Sequence, residues 1–210
     1  MMKNILTTLL VLFLSINALA DVRLSSIFTD NMVLQRNQAV KIWGWAQSRE
    51  TVMLQFNNQS MNTRADKAGF WVVELEPMSY GGPFEMKIEG QSNSIVLKNV
   101  LIGDVWIGSG QSNMEWPLKK TKSGETTVAS SDNPQIRLFT VERTMSPEPK
   151  SEVAGTGWLV ASPETTINFS AVAYHFGKTL NADLNVPIGL IHSSWGGTDI
   201  KTWMRFEALM

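Results

Sequence analysis

The sequence contains no cysteine. Disulfides, thiolate metal ligands, c-type haem attachment and a cysteine nucleophile are therefore excluded, and the fold must rest on core burial alone. Histidine is scarce: His175 and His192 are the whole complement. Neither sits in a tight sequence cluster with Asp or Glu, so no metal site is expected and no cofactor is implied. Charge of one sign is not in excess, with 18 Lys and Arg against 19 Asp and Glu. That balance points to neither nucleic acid nor an anionic membrane surface as a partner. Beyond residue 20, no apolar run is long enough to cross a bilayer, which takes roughly 20 residues.

The first twenty residues have a character of their own. Lys3 precedes a short, largely apolar run from Ile5 to Ile16, which ends at Ala18-Leu19-Ala20. A basic start, an apolar middle and a small-residue exit are the parts of a secretory signal peptide. Residues 1–20 are thus expected to be a leader for export to the periplasm or the medium, with no membrane partner after its removal. Tryptophan is abundant, with 8 residues. Aromatic core packing accounts for most of them, and sugar stacking is the alternative use.

Residues 21–99 read as strands. Val40 and Ile42 alternate with polar neighbours, and so do Val52, Leu54 and Phe56; Trp71, Val73 and Leu75; Phe84, Met86 and Ile88; and Ile95 and Leu97. A period of two puts each set on one face of a strand. Trp43-Gly44-Trp45-Ala46, Asn57-Asn58, Lys67-Ala68-Gly69 and Gly81-Gly82-Pro83 read as turns between them. The spacing predicts an N-terminal antiparallel β-sandwich domain.

The pattern changes at about residue 100. Val100-Leu101-Ile102 and Val105-Trp106-Ile107 lack alternation, as expected for a strand buried on both faces. Gly108-Ser109-Gly110 then permits a tight turn, and Asn113–Lys120 is a helix candidate limited by Pro117. Residues 121–134 read as an exposed loop, Ile136–Val141 as a strand and residues 143–157 as a second loop, with Trp158 packed. Ser170 is placed to cap a helix to Leu184, whose apolar face would carry Val172, Phe176, Leu180 and Leu184, extended by Ala171 and Tyr174. Ile188–Ile191 follows as a buried strand. Strand, helix, strand in this order predicts an α/β domain with a parallel sheet over residues 100–210.

In such sheets ligands bind beyond the carboxyl ends of strands. One loop there holds Ser112 and another holds Gly196-Gly197. A serine on a sharp strand-to-helix turn, with glycine N–H groups nearby, could form a nucleophile with an oxyanion hole. A plain Gly-Ser turn fits the same residues.

The segment Gly103-Asp104-Val105-Trp106-Ile107-Gly108-Ser109-Gly110-Gln111-Ser112-Asn113-Met114-Glu115-Trp116-Pro117 resembles the nucleophile block of the sialate O-acetylesterases and related carbohydrate esterases of the SGNH hydrolase superfamily. Phe28–Arg36 and Val40–Ala46 resemble the family's N-terminal β-domain opening. Val186–Ile191 with Ser194-Trp195-Gly196-Gly197-Thr198 resembles its second block. The resemblance implies an incomplete α/β SGNH-hydrolase domain, flavodoxin-like with three α/β/α layers, after the sandwich. It also implies a carbohydrate O-acetylesterase. The substrate would be an O-acetylated sugar or sialoglycan, foremost 9-O-acetylated sialic acid, with acetyl xylan-type polysaccharides as the alternative.

The implied roles follow residue by residue. Ser112 would attack the acetyl carbonyl. Its own N–H, with that of Gly197 or Gly196, would hold the oxyanion. Gln111 and Asn113 would shape the nucleophile turn or touch substrate. Asp104, before the strand, reads as structural, and Glu115 as ordering the turn. Trp195 and Trp203 would flank a sugar or pack in the core.

A serine esterase needs a base, usually a histidine oriented by a carboxylate. His175 falls inside the helix over 170–184. His192 is near the expected site, but a strand-end position reads more readily as a local loop residue than as the base. The family resembles other SGNH enzymes in a third Gly-Glu-containing block and a late Asp-x-x-His segment, and neither occurs here. The chain therefore reads as an N-terminal piece of a longer esterase, or as a catalytically incomplete carbohydrate-binding remnant. A sheet cut after so few strands would expose an edge and an apolar face.

Overall fold

The computed structural model describes residues 21–204 and 206–208. The expected leader lies outside the described residues. The strands of the first half are β1 (Arg23–Leu24), β2 (Val33–Gln35), β3 (Val40–Trp45), β4 (Thr51–Phe56), β5 (Gln59–Arg64), β6 (Phe70–Leu75), β7 (Gly81–Glu89) and β8 (Ser94–Gly110). Helices α1 (Ser112–Glu115) and α2 (Gly124–Ala129) follow, then β9 (Asn133–Thr140), β10 (Leu159–Ala161), α3 (Pro163–Thr166), α4 (Ala171–Leu184) and β11 (Ile188–Ser194). The result is a mixed α/β fold with one large sheet, ordered β10-β9-β11-β8-β7-β4-β5, and a three-stranded sheet β1-β3-β6.

The alternating positions of the first half point where period two predicts. Ile42, Val52, Leu54, Phe56, Trp71, Val73, Leu75, Met86 and Ile88 are all buried in one core cluster that draws on both sheets. Asn57 and Asn58 both take positive φ and close the β4–β5 hairpin. β5 itself, Gln-Ser-Met-Asn-Thr-Arg, has no apolar alternation to announce it; the hairpin register supplies its pairing.

Two expected turns are strand instead. Gly44 and Trp45 lie inside β3, because β1 passes so close that a side chain at Gly44 would collide with the Arg23 carbonyl. Gly81-Gly82-Pro83 opens β7, where the register against β8 shifts between Gly81 and Phe84. There Gly82 takes φ +116°, and a Cβ would meet the Val100 carbonyl.

The change of pattern near residue 100 is a change of partners within one strand. β8 pairs antiparallel with β7 as far as Ile102, and parallel with β11 from Asp104 to Gly110. β11 pairs parallel with β9 as well, so β9, α4 and β11 form the expected strand–helix–strand unit.

Several expectations fail here for tertiary reasons. Residues 100–102 are buried, but Trp106 and Ile107 are 46% and 69% exposed. Beyond Ile102, and among the described residues, β8 pairs on its β11 side alone apart from the short parallel contact of β2 through Gly103. Its other edge is open, as expected of a sheet with few strands. Residues 124–129 form a short helix rather than loop, with Thr127 and Val128 packed inward despite low intrinsic helix propensity. Residues 113–120 give one short turn of helix, Pro117, and a 3-10 turn at Leu118–Lys120.

The cap and stop of α4 are as predicted: Ser170 accepts from the Ala173 N–H at 3.2 Å, and Asn185 ends the helix in the left-handed region. Its inward face is the expected one only in part: Ala171 and Tyr174 are buried and Leu180 packs against the same core, but Val172, Phe176 and Leu184 are exposed, and Ala173 and Gly177 are buried beside them. Small residues let the helix approach the sheet so closely that a Cβ at Gly177 would lie 2.7 Å from Leu190.

Arg137 on β9 joins the two halves. Its guanidinium is buried and donates to Asn31, Asn99 and the Pro134 carbonyl. Burial lowers its pKa to about 10.

Candidate active site

The parallel register sets Gly110 beside Ser194, so the chain leaves β8 and β11 at the same edge of the sheet. The Trp195 N–H donates to the Gly110 carbonyl at 2.9 Å, extending the ladder into both loops. Gly110 has φ +129°, and no heavy atom lies within 4 Å of its would-be Cβ. The chain turns there and α1 begins at Ser112. Met114 anchors the turn: its sulfur packs at Gly108 and receives the Ser170 hydroxyl at 3.4 Å. The Ala171 N–H donates to the Trp116 carbonyl at 2.9 Å, tying the end of α1 to the start of α4.

Ser112 is exposed, and its hydroxyl donates to Gln111 Oε1 at 3.3 Å. A Cβ on Gly196 would lie 3.5 Å from the Ser112 Oγ, so the two expected loops do meet. Glu115 bridges them. One carboxylate oxygen accepts the Gly196 N–H, and the other pairs with Arg143 Nη2 at 2.5 Å. Arg143 Nε also donates to the Ser194 carbonyl at 3.2 Å. The guanidinium of Arg143, then the Gly196 N–H, hold the Glu115 carboxyl below the usual carboxylate range against the opposing effect of burial. Gly197 takes φ +82°, with open space where its side chain would be. Its N–H makes no hydrogen bond among the described residues.

Ser112 opens onto a cleft of about 700 Å³. Glu115, Arg143, His192, Trp195 and Gly196 form one side, and Trp116, Lys119, Lys120 and Asn168 another part of the wall. Lys120 Nζ stands 5.4 Å from the Trp116 ring centroid. Gln111 and Asn113 lie with Ser112 around a smaller adjoining depression.

His192 is in the cleft but not bonded to Ser112. Its Nε2 is 2.6 Å from the Ser194 hydroxyl, its ring packs edge-on to Phe169, and Nδ1 is buried without a hydrogen bond of ordinary geometry. Burial, then the Arg143 charge, push its pKa down; Glu115 and the Met114 backbone pull the other way. Among the described residues no histidine or carboxylate hydrogen-bonds to the Ser112 hydroxyl.

The remaining candidates disperse. Asp104 sits at the opposite end of the parallel stretch, paired with Ile188 in register, and receives Arg36 at 2.8 and 2.9 Å. His175 is exposed on α4. Trp203 donates to Thr198 Oγ1 at 2.8 Å and lines a second cavity on the far side of Trp195. Arg143 and Asn168 were missed by sequence reasoning. Both lie in segments without periodicity: Arg143 is brought to this edge by the strand β9 before it, and Asn168 by the backbone bonds of Ile167 and Phe169 to Lys119 and Leu118.

The family profile described as "Carbohydrate esterase, sialic acid-specific acetylesterase" matches residues 102–209. The sialate O-acetylesterase of Rattus norvegicus is 32% identical over 89% of this chain, which corresponds to 38% of that protein. The human sialate O-acetylesterase is 31% identical over 89% of the chain and 39% of its own length. A solved carbohydrate acetylesterase from Xanthomonas citri superposes with a TM-score of 0.88 at 36% identity, over 90% of this chain and 43% of that one. The chain thus spans about two fifths of the length of the relatives it matches.

Proposed function

The chain belongs to the carbohydrate esterase family of the sialic acid-specific acetylesterases, and on that premise we propose that it contributes the nucleophile half of a sugar O-acetylesterase site. The observation that carries this reading is the strand register that brings Ser112 against the Gly196-Gly197 loop at the mouth of one cleft.

Ser112 Oγ attacks the acetyl carbonyl carbon while a general base takes its proton. The oxyanion is held by the Ser112 N–H, at the start of α1, and by an N–H of the glycine loop. The bond from carbonyl carbon to sugar oxygen then breaks, and the sugar hydroxyl leaves with the proton. Water attacks the acetyl-serine, releasing acetate and restoring the Ser112 hydroxyl.

An acidic sugar is the favoured substrate, 9-O-acetylated sialic acid first. Lys119 and Lys120 supply positive charge on the cleft wall, and the half-exposed Trp116 offers a ring for stacking. Trp195 is the second aromatic at the cleft. The same reading takes residues 1–20 as a signal for export to the periplasm or the medium. It takes the first half as a β-sandwich and the second as part of a three-layer SGNH domain. A carbohydrate-binding remnant is the second reading, favoured by the lack of a base bonded to Ser112 among the described residues.

Acetate release from 9-O-acetylated sialic acid, beside acetylated xylan and beside Ser112→Ala, tests this. Release that vanishes in the variant supports the esterase, and faster release from xylan moves the substrate to neutral polysaccharide. No release, together with no fluorophosphonate labelling at Ser112, removes the esterase reading for this chain, and retention of the same glycans by the unreactive chain supports the binding reading.

A further inference from the structure

The Gly196-Gly197 pair offers two N–H groups to an oxyanion, and the structure distinguishes them. Gly196 donates to Glu115, four residues from the N-cap of the same short helix that begins with Ser112. Glu115 in turn is held by Arg143, which arrives from the segment after β9 and also donates to the last carbonyl of β11. The carboxylate thus ties three elements together: the serine helix, the glycine loop and the end of the central strands. Gly196 has no room to be anything else, since a Cβ there would strike Glu115 Oε2. Gly197 is uncommitted, with the positive φ that glycine tolerates and open space beside it.

We propose that Glu115 is a positioning residue: by taking up the Gly196 N–H and pairing with Arg143, it fixes the loop so that the Gly197 N–H serves the oxyanion formed at Ser112. The proposal rests on the reading of Ser112 as nucleophile, and it removes Gly196 from the oxyanion hole. Glu115 does not touch substrate in this assignment. Its charge matters because a charge-assisted bond is shorter and about twice as strong as a neutral one. A loop displaced by about 1 Å costs on the order of 100-fold in rate.

The test uses the 15N-labelled full chain and the variants Glu115→Gln, Glu115→Ala and Arg143→Gln. Two amide protons are followed by NMR, before and after a fluorophosphonate probe modifies Ser112. The Gly196 amide is expected further downfield in the parent chain than in Glu115→Ala, with Glu115→Gln and Arg143→Gln between them. On phosphonylation the Gly197 amide should move downfield and that of Gly196 should not. The labelling rate should fall about 100-fold in Glu115→Ala and recover in part in Glu115→Gln, which keeps an acceptor for the loop. A Gly196 amide that ignores both Glu115 substitutions overturns the brace. A Gly196 shift on phosphonylation with Gly197 unmoved overturns the donor assignment, and an undiminished labelling rate in Glu115→Ala overturns the positioning role. A parent chain that is not labelled at Ser112 sinks the esterase reading instead, while the Gly196 amide still decides whether Glu115 holds the loop. If Glu115→Ala fails to fold, the two glutamine variants carry the comparison.

Discussion

Residues 22–102 and residues 104–194 solve the burial problem differently. In the first region, large apolar side chains alternate along antiparallel strands and meet in a core shared by two sheets. Trp71 is 1% exposed there. In the second, a parallel sheet is covered by a helix whose buried face is alanine, glycine and tyrosine, while Val172 and Phe176 stay half exposed beside Trp106 at the edge of the sheet. Trp106 is 46% exposed on the open edge of β8. One strand runs through both regions, so the difference lies in its partners and not in the strand. An apolar residue is buried only if some element covers its face, and periodicity predicts the face without predicting the cover.

The contrast is broken most directly by truncating one tryptophan from each region. Trp71→Ala should cost about 3–5 kcal/mol, the range for emptying a buried aromatic site. Trp106→Ala should cost less, on the order of 1–2 kcal/mol, since the half-exposed ring has its edge-on contact with Phe176 to lose. Urea denaturation of the two variants is the measurement, and equal losses would refute the comparison.

The inward face of α4 gives the next effect in size. Gly177→Val forces a branched side chain against Leu190 and should destabilise by about 1–3 kcal/mol through overpacking. Val172→Thr, on the outward face, should stay within about 0.5 kcal/mol of the parent. If Val172 proved the more sensitive of the two, the helix would present the face expected from apolar spacing alone.

The smallest effect is a pH dependence at His192. Its folded-state pKa is depressed by burial, so the unfolded chain binds the proton more readily. Stability is therefore full above the ordinary value of 6.5 and falls as pH drops below it, until the folded-state value is passed as well. The slope cannot exceed about 1.4 kcal/mol per pH unit for a single group. His192→Gln should flatten this part of the curve, measured by denaturation at stepped pH; an unchanged slope would show that His192 is not responsible.

Period-two alternation located the inward positions of β3, β4, β6, β7 and the first part of β8, because an antiparallel strand half covered by a core writes its burial into alternate residues. The Asn57-Asn58 hairpin was legible for the same local reason, a backbone conformation that asparagine tolerates. Gly44 was misread because a glycine in a strand and a glycine in a turn look alike until the neighbouring backbone is seen. The resemblance singled out Ser112 and Gly196-Gly197, and the register of β8 with β11 then brought them together. Glu115 was taken to order its own turn; its hold on the opposite loop through Gly196 was not legible, since the partner is 81 positions away.

The sequence by itself determined the strand–helix–strand order of residues 136–191, the cap and stop of α4, the inward side of the antiparallel strands and the family. These depend on local sterics and on side-chain spacing along the chain. The tertiary structure alone decided that Val172 and Phe176 stay half exposed, that β8 serves two kinds of sheet, that Glu115 holds the opposite loop, and that Arg143 and Asn168 share a cleft with Ser112. Those outcomes depend on the register of strands distant in sequence. Register is set by the packing of the whole sheet, and no window of residues contains it.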